Sequence, residues 1–226
     1  MAMPERQGLY DPANEHDACG MGFVAHLHGA RSREVVVDAL RLLGNLAHRG
    51  AAGADAGTGD GAGILLQIPH GFLRRECSLL GVGLPDPGEY AVGMVFLPRD
   101  DEARRECERV IGECVSASGC RVLGWRDVPT DARHAGDTAR RAQPVIRQLF
   151  VARMGLPRDA DDDASFERKL YVIRKRAERA LRDRAFTGGD GCYFASLSSR
   201  TVVYKGMLGA EQLEGFYPDL GDASVV

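Results

Sequence analysis

Lysine is nearly absent: Lys169, Lys175 and Lys205 are the only ones, and arginine supplies the rest of the 29 basic residues. Against 32 acidic residues the net charge is −3. Such a balance offers no basic field to nucleic acid or to an anionic membrane surface. The six cysteines, Cys19, Cys77, Cys107, Cys114, Cys120 and Cys192, contain no C-x-x-C pair. No run approaches the roughly 18 apolar residues of a membrane span. No G-x-x-x-x-G-K-S/T phosphate loop is present either. Residues 1–18 lack the apolar stretch of a secretory signal and carry Glu5, Arg6, Asp11, Glu15 and Asp17. A reducing cytoplasm with free thiols is therefore expected, rather than a disulfide framework.

With 44% hydrophobic and 27% charged residues, the 226-residue chain has an ordinary soluble composition. It is long enough to bury a core as one large domain or two small ones. Residues 1–18, with Pro4 and Asp11-Pro12, read as a flexible leader, and strand signals run from Cys19 to about Leu27. Val36, Ala39, Leu40, Leu43, Leu46 and Ala47 then share one helical face, with Ser32 as N-cap and Gly50 as stop. A Gly/Ala loop from Gly50 to Gly63 lets backbone approach a ligand or another chain closely. It feeds a strand over Ile64–Ile68, closed by Pro69.

Further along, the pattern predicts a short helix from Gly71 to Cys77 and a strand over Tyr90–Leu97. A helix over Asp101–Ala117 has Cys107, Val110, Ile111, Cys114 and Val115 on one face. Strands follow at Cys120–Trp125 and Val145–Val151, separated by a polar loop around Pro129–Asp137. An acidic loop, Asp159–Asp163, precedes the longest helix, Ser165 to about Arg184, with a surface pair of Glu178 and Arg182. Two closing strands, Tyr193–Ser198 and Thr201–Tyr204, flank a tight turn. This mixed order suits an α+β layered sandwich at least as well as a doubly wound parallel sheet.

Asp17-Ala18-Cys19-Gly20 carries the sharpest chemical signal. Cys19 reads as a nucleophile that becomes a new N-terminus once residues 1–18 are removed, its own α-amino group serving as base. A thiol titrates near about 8.5 and an α-amino group near about 7.7–8.0, so proton exchange near neutral pH needs little tuning. The commoner fate of a cysteine at the head of a strand is a buried structural role. Gly57-Thr58-Gly59-Asp60-Gly61-Ala62 matches G-x-G-x-x-A by letters, but it follows a helix and opens a strand, the reverse of a dinucleotide fingerprint. His26 and His28 would share one side of a strand, without a third metal ligand at any recognisable spacing. Cys107 and Cys114, seven apart on an apolar helical face, fit a core rather than an iron–sulfur site. Arg49, delivered by a helix end into the glycine loop, can present a fixed fork to a carboxylate.

Leu9-Tyr10-Asp11-Pro12 with Glu15-His16-Asp17-Ala18-Cys19-Gly20-Met21-Gly22-Phe23, Ala47-His48-Arg49-Gly50-Ala51 with Gly53-Ala54-Asp55, and Gly59-Asp60-Gly61-Ala62-Gly63-Ile64 closely resemble the start of the large subunit of bacterial glutamate synthases. The similarity continues through Phe150-Val151-Ala152-Arg153 and Val203-Tyr204-Lys205-Gly206-Met207. Met21 departs from the smaller aliphatic residue usual there. The resemblance implies a glutamine amidotransferase domain over 19–226 with the N-terminal-nucleophile hydrolase fold, a four-layer αββα sandwich, incomplete at the C-terminus. It implies a leader over 1–18 that is removed, Cys19 as catalytic nucleophile on glutamine, and Arg49 as a substrate-binding residue. Ammonia would pass to a separate synthase domain that makes glutamate from 2-oxoglutarate. FMN and an iron–sulfur cluster are implied for the full-length enzyme and none for this segment. The implied partners are the rest of the large subunit and a small NADPH-oxidising subunit, with no nucleic acid and no membrane. The family's Arg-Phe-Ser-Thr and His-Asn-Gly segments, which grip the substrate carboxylate and form the oxyanion hole, are not found in these 226 residues. Losing one oxyanion donor costs on the order of 100–1000-fold, so the chain as given is expected to be inactive alone. Another class II amidotransferase, or a non-catalytic truncated interaction domain, is the alternative.

Overall fold

Ser32 opens the first helix as the sequence predicts. Its Oγ accepts a hydrogen bond from the Val35 amide at 3.3 Å, and α1 runs Arg33–Asn45. Asp100 does the same for α3 (Asp101–Ala117), accepting from the Ala103 amide at 2.8 Å. Each cap satisfies one of the amides that a helix start leaves without a partner. The chain is seen in a computed structural model that describes residues 20–50, 55, 57–154, 160–182 and 191–226. The leader, Cys19 and the far end of the helix expected to reach Arg184 lie outside the described residues.

Between and after those helices come β1 (Ala62–Gln67), α2 (His70–Leu79), β2 (Tyr90–Leu97), β3 (Arg121–Asp127), α4 (Asp137–Arg141) and β4 (Val145–Ala152). The chain continues through α5 (Ala160–Arg182), β5 (Tyr193–Ser198), β6 (Thr201–Gly206), α6 (Leu213–Phe216) and α7 (Pro218–Gly221). The strands form a four-stranded sheet in the order β3-β4-β2-β5 and a two-stranded sheet of β1 with β6, antiparallel throughout. The closing strands β5 and β6 therefore belong to different sheets, although a tight turn joins them.

A period of two in β2 sorts the packing. Ala91, Val95 and Leu97 turn to one side, where they meet Cys107 and Ile111 of α3 and Phe166, Leu170 and Ile173 of α5. Tyr90, Val92 and Met94 turn to the other and meet Ile64 and Leu66 of β1, Val202 and Tyr204 of β6, and Phe72 and Leu73 of α2. With β4 and β5 as neighbours and both faces covered, β2 is buried along nearly its whole length. Helix α1 packs on β1, with Ala39, Leu40 and Leu43 against the second cluster. The fold is thus mixed helix and antiparallel sheet, as the α+β reading requires.

The structure corrects the sequence in several places. Gly20–His26 is not a strand: among the described residues it makes no ladder, and Met21 and Phe23 are 94% and 91% exposed. Alternating apolar residues give strand propensity, but a strand exists only where a second edge pairs with it. Helix α5 is described from Ala160, so residues 160–163 of the acidic stretch expected as a loop are helical. Glu178 pairs with Arg174 at 2.7 Å and Lys175 at 2.8 Å, not with Arg182, because both its oxygens are already taken from the preceding turn. The short helices α4, α6 and α7 were not expected from periodicity, which cannot register in four or five residues. No helix among the described residues is long and apolar enough to cross a membrane.

Candidate active site

A cleft of about 610 Å³ opens between Gly20–Ser32, α1 and β1, with Phe23, Val36, Leu42, Ile64 and Leu66 among its lining. Its direction is set by two contacts. At one end the Arg31 guanidinium donates to the Ile68 carbonyl at 3.2 Å, beside the start of α1. At the other, Gly22 lies against Leu42 so closely that an added methyl would sit 2.5 Å from Leu42 Cδ2. The chain from Gly20 therefore runs alongside the C-terminal half of α1. That is the end from which the backbone continues, through a 3₁₀ turn at Ala47–Arg49, into the glycine loop. Gly20, the first described residue along the cleft, and the Arg49 backbone thus lie toward the same end of α1. Cys19 itself and the Arg49 side chain lie outside the described residues.

The loop is held at both limbs. Gly50 donates its amide to the Ala47 carbonyl at 3.1 Å, and a methyl on Gly50 would come within 3.4 Å of Asp60 Oδ1, so the two ends of the loop meet. On the return limb Asp55 Oδ1 accepts from the Gly57 amide at 3.1 Å, and Oδ2 accepts from Thr58 Oγ1 and from the Thr138 amide, both at 2.9 Å. Hydrogen bonds from Thr138, then from Thr58 and Gly57, hold the Asp55 carboxyl well below the usual carboxylate range. Gln212 donates to the Gly57 carbonyl at 2.8 Å and accepts from the Gly209 amide at 2.6 Å. The small residues serve this packing: a side chain on Gly59 would strike the Leu208 backbone, and one on Gly136 would strike Thr58. The loop approaches its own chain closely, a use of glycine that the sequence left open between ligand and partner.

The sequence missed the Asp55, Thr58, Thr138 and Gln212 set. Asp-x-x-Thr is a recognisable local turn spacing, but the partners at 138 and 212 carry no sequence signal toward it. His26 and His28 do not flank a strand: the His26 ring accepts from the His28 and Ala30 amides, both at 3.3 Å, in a turn. Among the described residues no three His, Cys, Asp or Glu side chains converge as a metal site. The described cysteines are core residues. Burial pushes the Cys77 thiol up to about 11 and raises those of Cys114 and Cys120. Cys107 is fully buried and hydrogen-bonds Cys192, which together with burial raises the Cys192 thiol far above its ordinary range.

Residues 19–226 match the family described as glutamine amidotransferases class-II. The chain is 47% identical to the glutamate synthase (NADPH) large chain of Bacillus subtilis over 99% of its own length and 14% of that protein's. It is 40% identical to the glutamate synthase (NADPH) large chain of Azospirillum brasilense over 94% of this chain and 14% of that protein. With the glutamate synthase (NADH) of Saccharomyces cerevisiae it shares 41% identity over 98% of this chain and 10% of that protein. The chain therefore spans about a seventh, or less, of the length of these relatives.

Proposed function

Because the chain belongs to the class-II glutamine amidotransferases, we propose that it is the glutaminase part of a glutamate synthase large chain, with Cys19 as nucleophile and Arg49 as substrate fork. The observation that carries this reading is the family match itself, which opens on Cys19. Removal of residues 1–18 frees the Cys19 α-amino group. That amine takes the thiol proton as the sulfur attacks the side-chain amide carbon of glutamine, and it delivers a proton to the departing ammonia. Water then cleaves the thioester, releasing glutamate and restoring the thiol. Arg49 grips the glutamine α-carboxylate with its planar guanidinium.

The packing order supports the finer fold assignment: α3 and α5, the four-stranded sheet, the two-stranded sheet and α1 succeed one another as an αββα sandwich would. Ammonia passes to a synthase domain of the same large chain, where it is used to convert 2-oxoglutarate to glutamate. FMN and an iron–sulfur cluster belong to other parts of that chain. The donor set needed for a cluster does not converge among the described residues here, and the cysteines that might supply it are core residues. A small NADPH-oxidising subunit is the partner that the two bacterial relatives' names favour. The enzyme works in the cytoplasm. The relatives above are all glutamate synthases, which does not favour a different class II amidotransferase or a non-catalytic domain.

The test is ammonia release from glutamine by the intact enzyme. Cys19→Ser should lower it by on the order of 1000-fold or more, and N-terminal sequencing of the active wild type should begin at Cys19. Undiminished release by the variant would refute the assignment.

A further inference from the structure

The Asp55 clamp is a polar set at the edge of the core, where Thr58 meets Ala139 of the cluster around β1 and β6. Thr58 is only 2% exposed, and the Asp55 carboxylate accepts from the Gly57 amide, Thr58 Oγ1 and the Thr138 amide, which are loop or helix-start donors. What the clamp fixes is the limb that returns to Asp60, whose Oδ1 lies where a methyl on Gly50, the residue after Arg49, would meet it at 3.4 Å. Thr58 carries the connection on: its Oγ1 also accepts from the Ala139 amide at 3.4 Å, so both Asp55 and Thr58 are tied to the first turn of α4, some 80 residues away in sequence. The loop joins α1 to β1, both of which line the cleft.

We propose that Asp55 is a positioning residue for the glutamine site, locking the loop onto Thr58 and Thr138 so that Gly50, and with it the Arg49 backbone, is held at the cleft end of α1. The inference rests on the reading of Arg49 as the substrate fork. Asp55 touches no reacting atom in it. It acts by keeping the guanidinium's anchor still, so its loss weakens substrate binding more than turnover. An amide in place of the carboxylate removes one acceptor and sets an N–H against donors already aimed at that oxygen, leaving an unmet donor behind.

The test uses the intact enzyme with Asp55→Asn, Thr58→Val and Thr58→Ser. Asp55→Asn should raise the KM for glutamine about tenfold, one 1.4 kcal/mol step, with kcat changed less than about twofold. Thr58→Val should do the same more weakly, and Thr58→Ser, which keeps the hydroxyl, should stay near wild type. Hydrogen exchange supplies a readout that needs no catalysis: the Gly50 amide should exchange about tenfold faster in Asp55→Asn while α3 and α5 keep their protection. An unchanged Gly50 amide overturns the inference whatever the kinetics. A loosened Gly50 with unchanged KM overturns the assignment of Arg49 to the substrate. Parallel losses of kcat, KM and helix protection in Asp55→Asn and Thr58→Val would make the clamp merely structural and overturn the inference as well. Should Asp55→Asn fail to fold, Thr58→Val against Thr58→Ser carries the same comparison.

Discussion

The two faces of the four-stranded sheet are built by different chemistry. Toward α3 and α5 the contact is chiefly apolar: Ala91, Val95, Leu97, Leu149 and Val151 meet Ile111, Val115, Phe166, Leu170 and Ile173, nearly all fully buried. Toward β1 and β6 the interior also contains charge. Arg126 of β3, 4% exposed, makes a two-pronged pair with Asp219 of α7 at 2.8 and 2.9 Å and donates to Gln148 of β4 at 3.0 Å. Tyr204 of β6 donates to Asp219 at 3.0 Å and accepts from Gln148 at 3.1 Å. One face is held by shape and area, which tolerate volume-conserving substitution. The other is pinned by a satisfied polar network that ties both sheets to one short helix. The cleft and the glycine loop are attached to the pinned side, through β1, and a reaction needing atoms within fractions of an ångström requires that kind of support.

The comparison is broken most forcefully at Asp219. Asp219→Ala leaves the buried Arg126 guanidinium with Glu76, at 3.3 Å, as its remaining carboxylate partner and should lower unfolding free energy by about 3 kcal/mol in denaturant melts. It should also slow glutamine hydrolysis, because β6 loses its tether. Leu170→Ala on α5 leaves a cavity in the apolar face and should cost about 2–5 kcal/mol. Its effect on kcat at a temperature where it remains folded should be small; a kcat loss equal to that of Asp219→Ala would mean that the two faces are not distinct in function.

Acid gives a gentler test. Arg133 holds Asp131 down at about 2, Arg75 and Ser224 hold Asp222 below the carboxylate range, and Asp55 is lowered as described. An Asp in the unfolded chain titrates near about 3.9. The stabilisation from these depressed groups is therefore fully present above about pH 4 and declines as pH falls toward their folded values. All three lie on the loop, on the turn before α4 or just after α7. Glu178 on α5 is also lowered, Lys175 and Arg174 outweighing its burial, so the helix layer is not exempt. Native-state hydrogen exchange at about pH 3 should nevertheless lose protection first at β1, β6 and the glycine loop. Uniform loss over both faces would contradict the division.

The two faces were also unequally legible in the sequence. Phe166, Leu170, Ile173, Ala177 and Leu181 announce an amphipathic helix by spacing alone, and β2 and α3 were read with their observed ends, since long periodic stretches bounded by Pro98 and Asp100 admit one assignment. On the other face, Arg126, Gln148 and Asp219 look like ordinary surface residues until the chain brings them together across 93 positions. Gly20–His26 failed as a strand for the opposite reason: its local pattern was right and its partner edge is absent among the described residues. Cys19 and Arg49 were read from local chemistry alone, and both stand as proposals, since Cys19 and the Arg49 side chain lie outside the described residues. The clamp was not legible, because Thr138 and Gln212 reach Asp55 and Gly57 only through the tertiary fold.

The most direct test of the central claim is peptide mapping of the active intact enzyme after reaction with an electrophilic glutamine analogue. The predicted result is one adduct, on a Cys19 that carries a free α-amino group, with glutamine protecting it. Buried thiols such as Cys77 and Cys107 should remain unmodified at neutral pH. Label spread over the six cysteines, or full activity with Ala18 still joined to Cys19, would contradict the account.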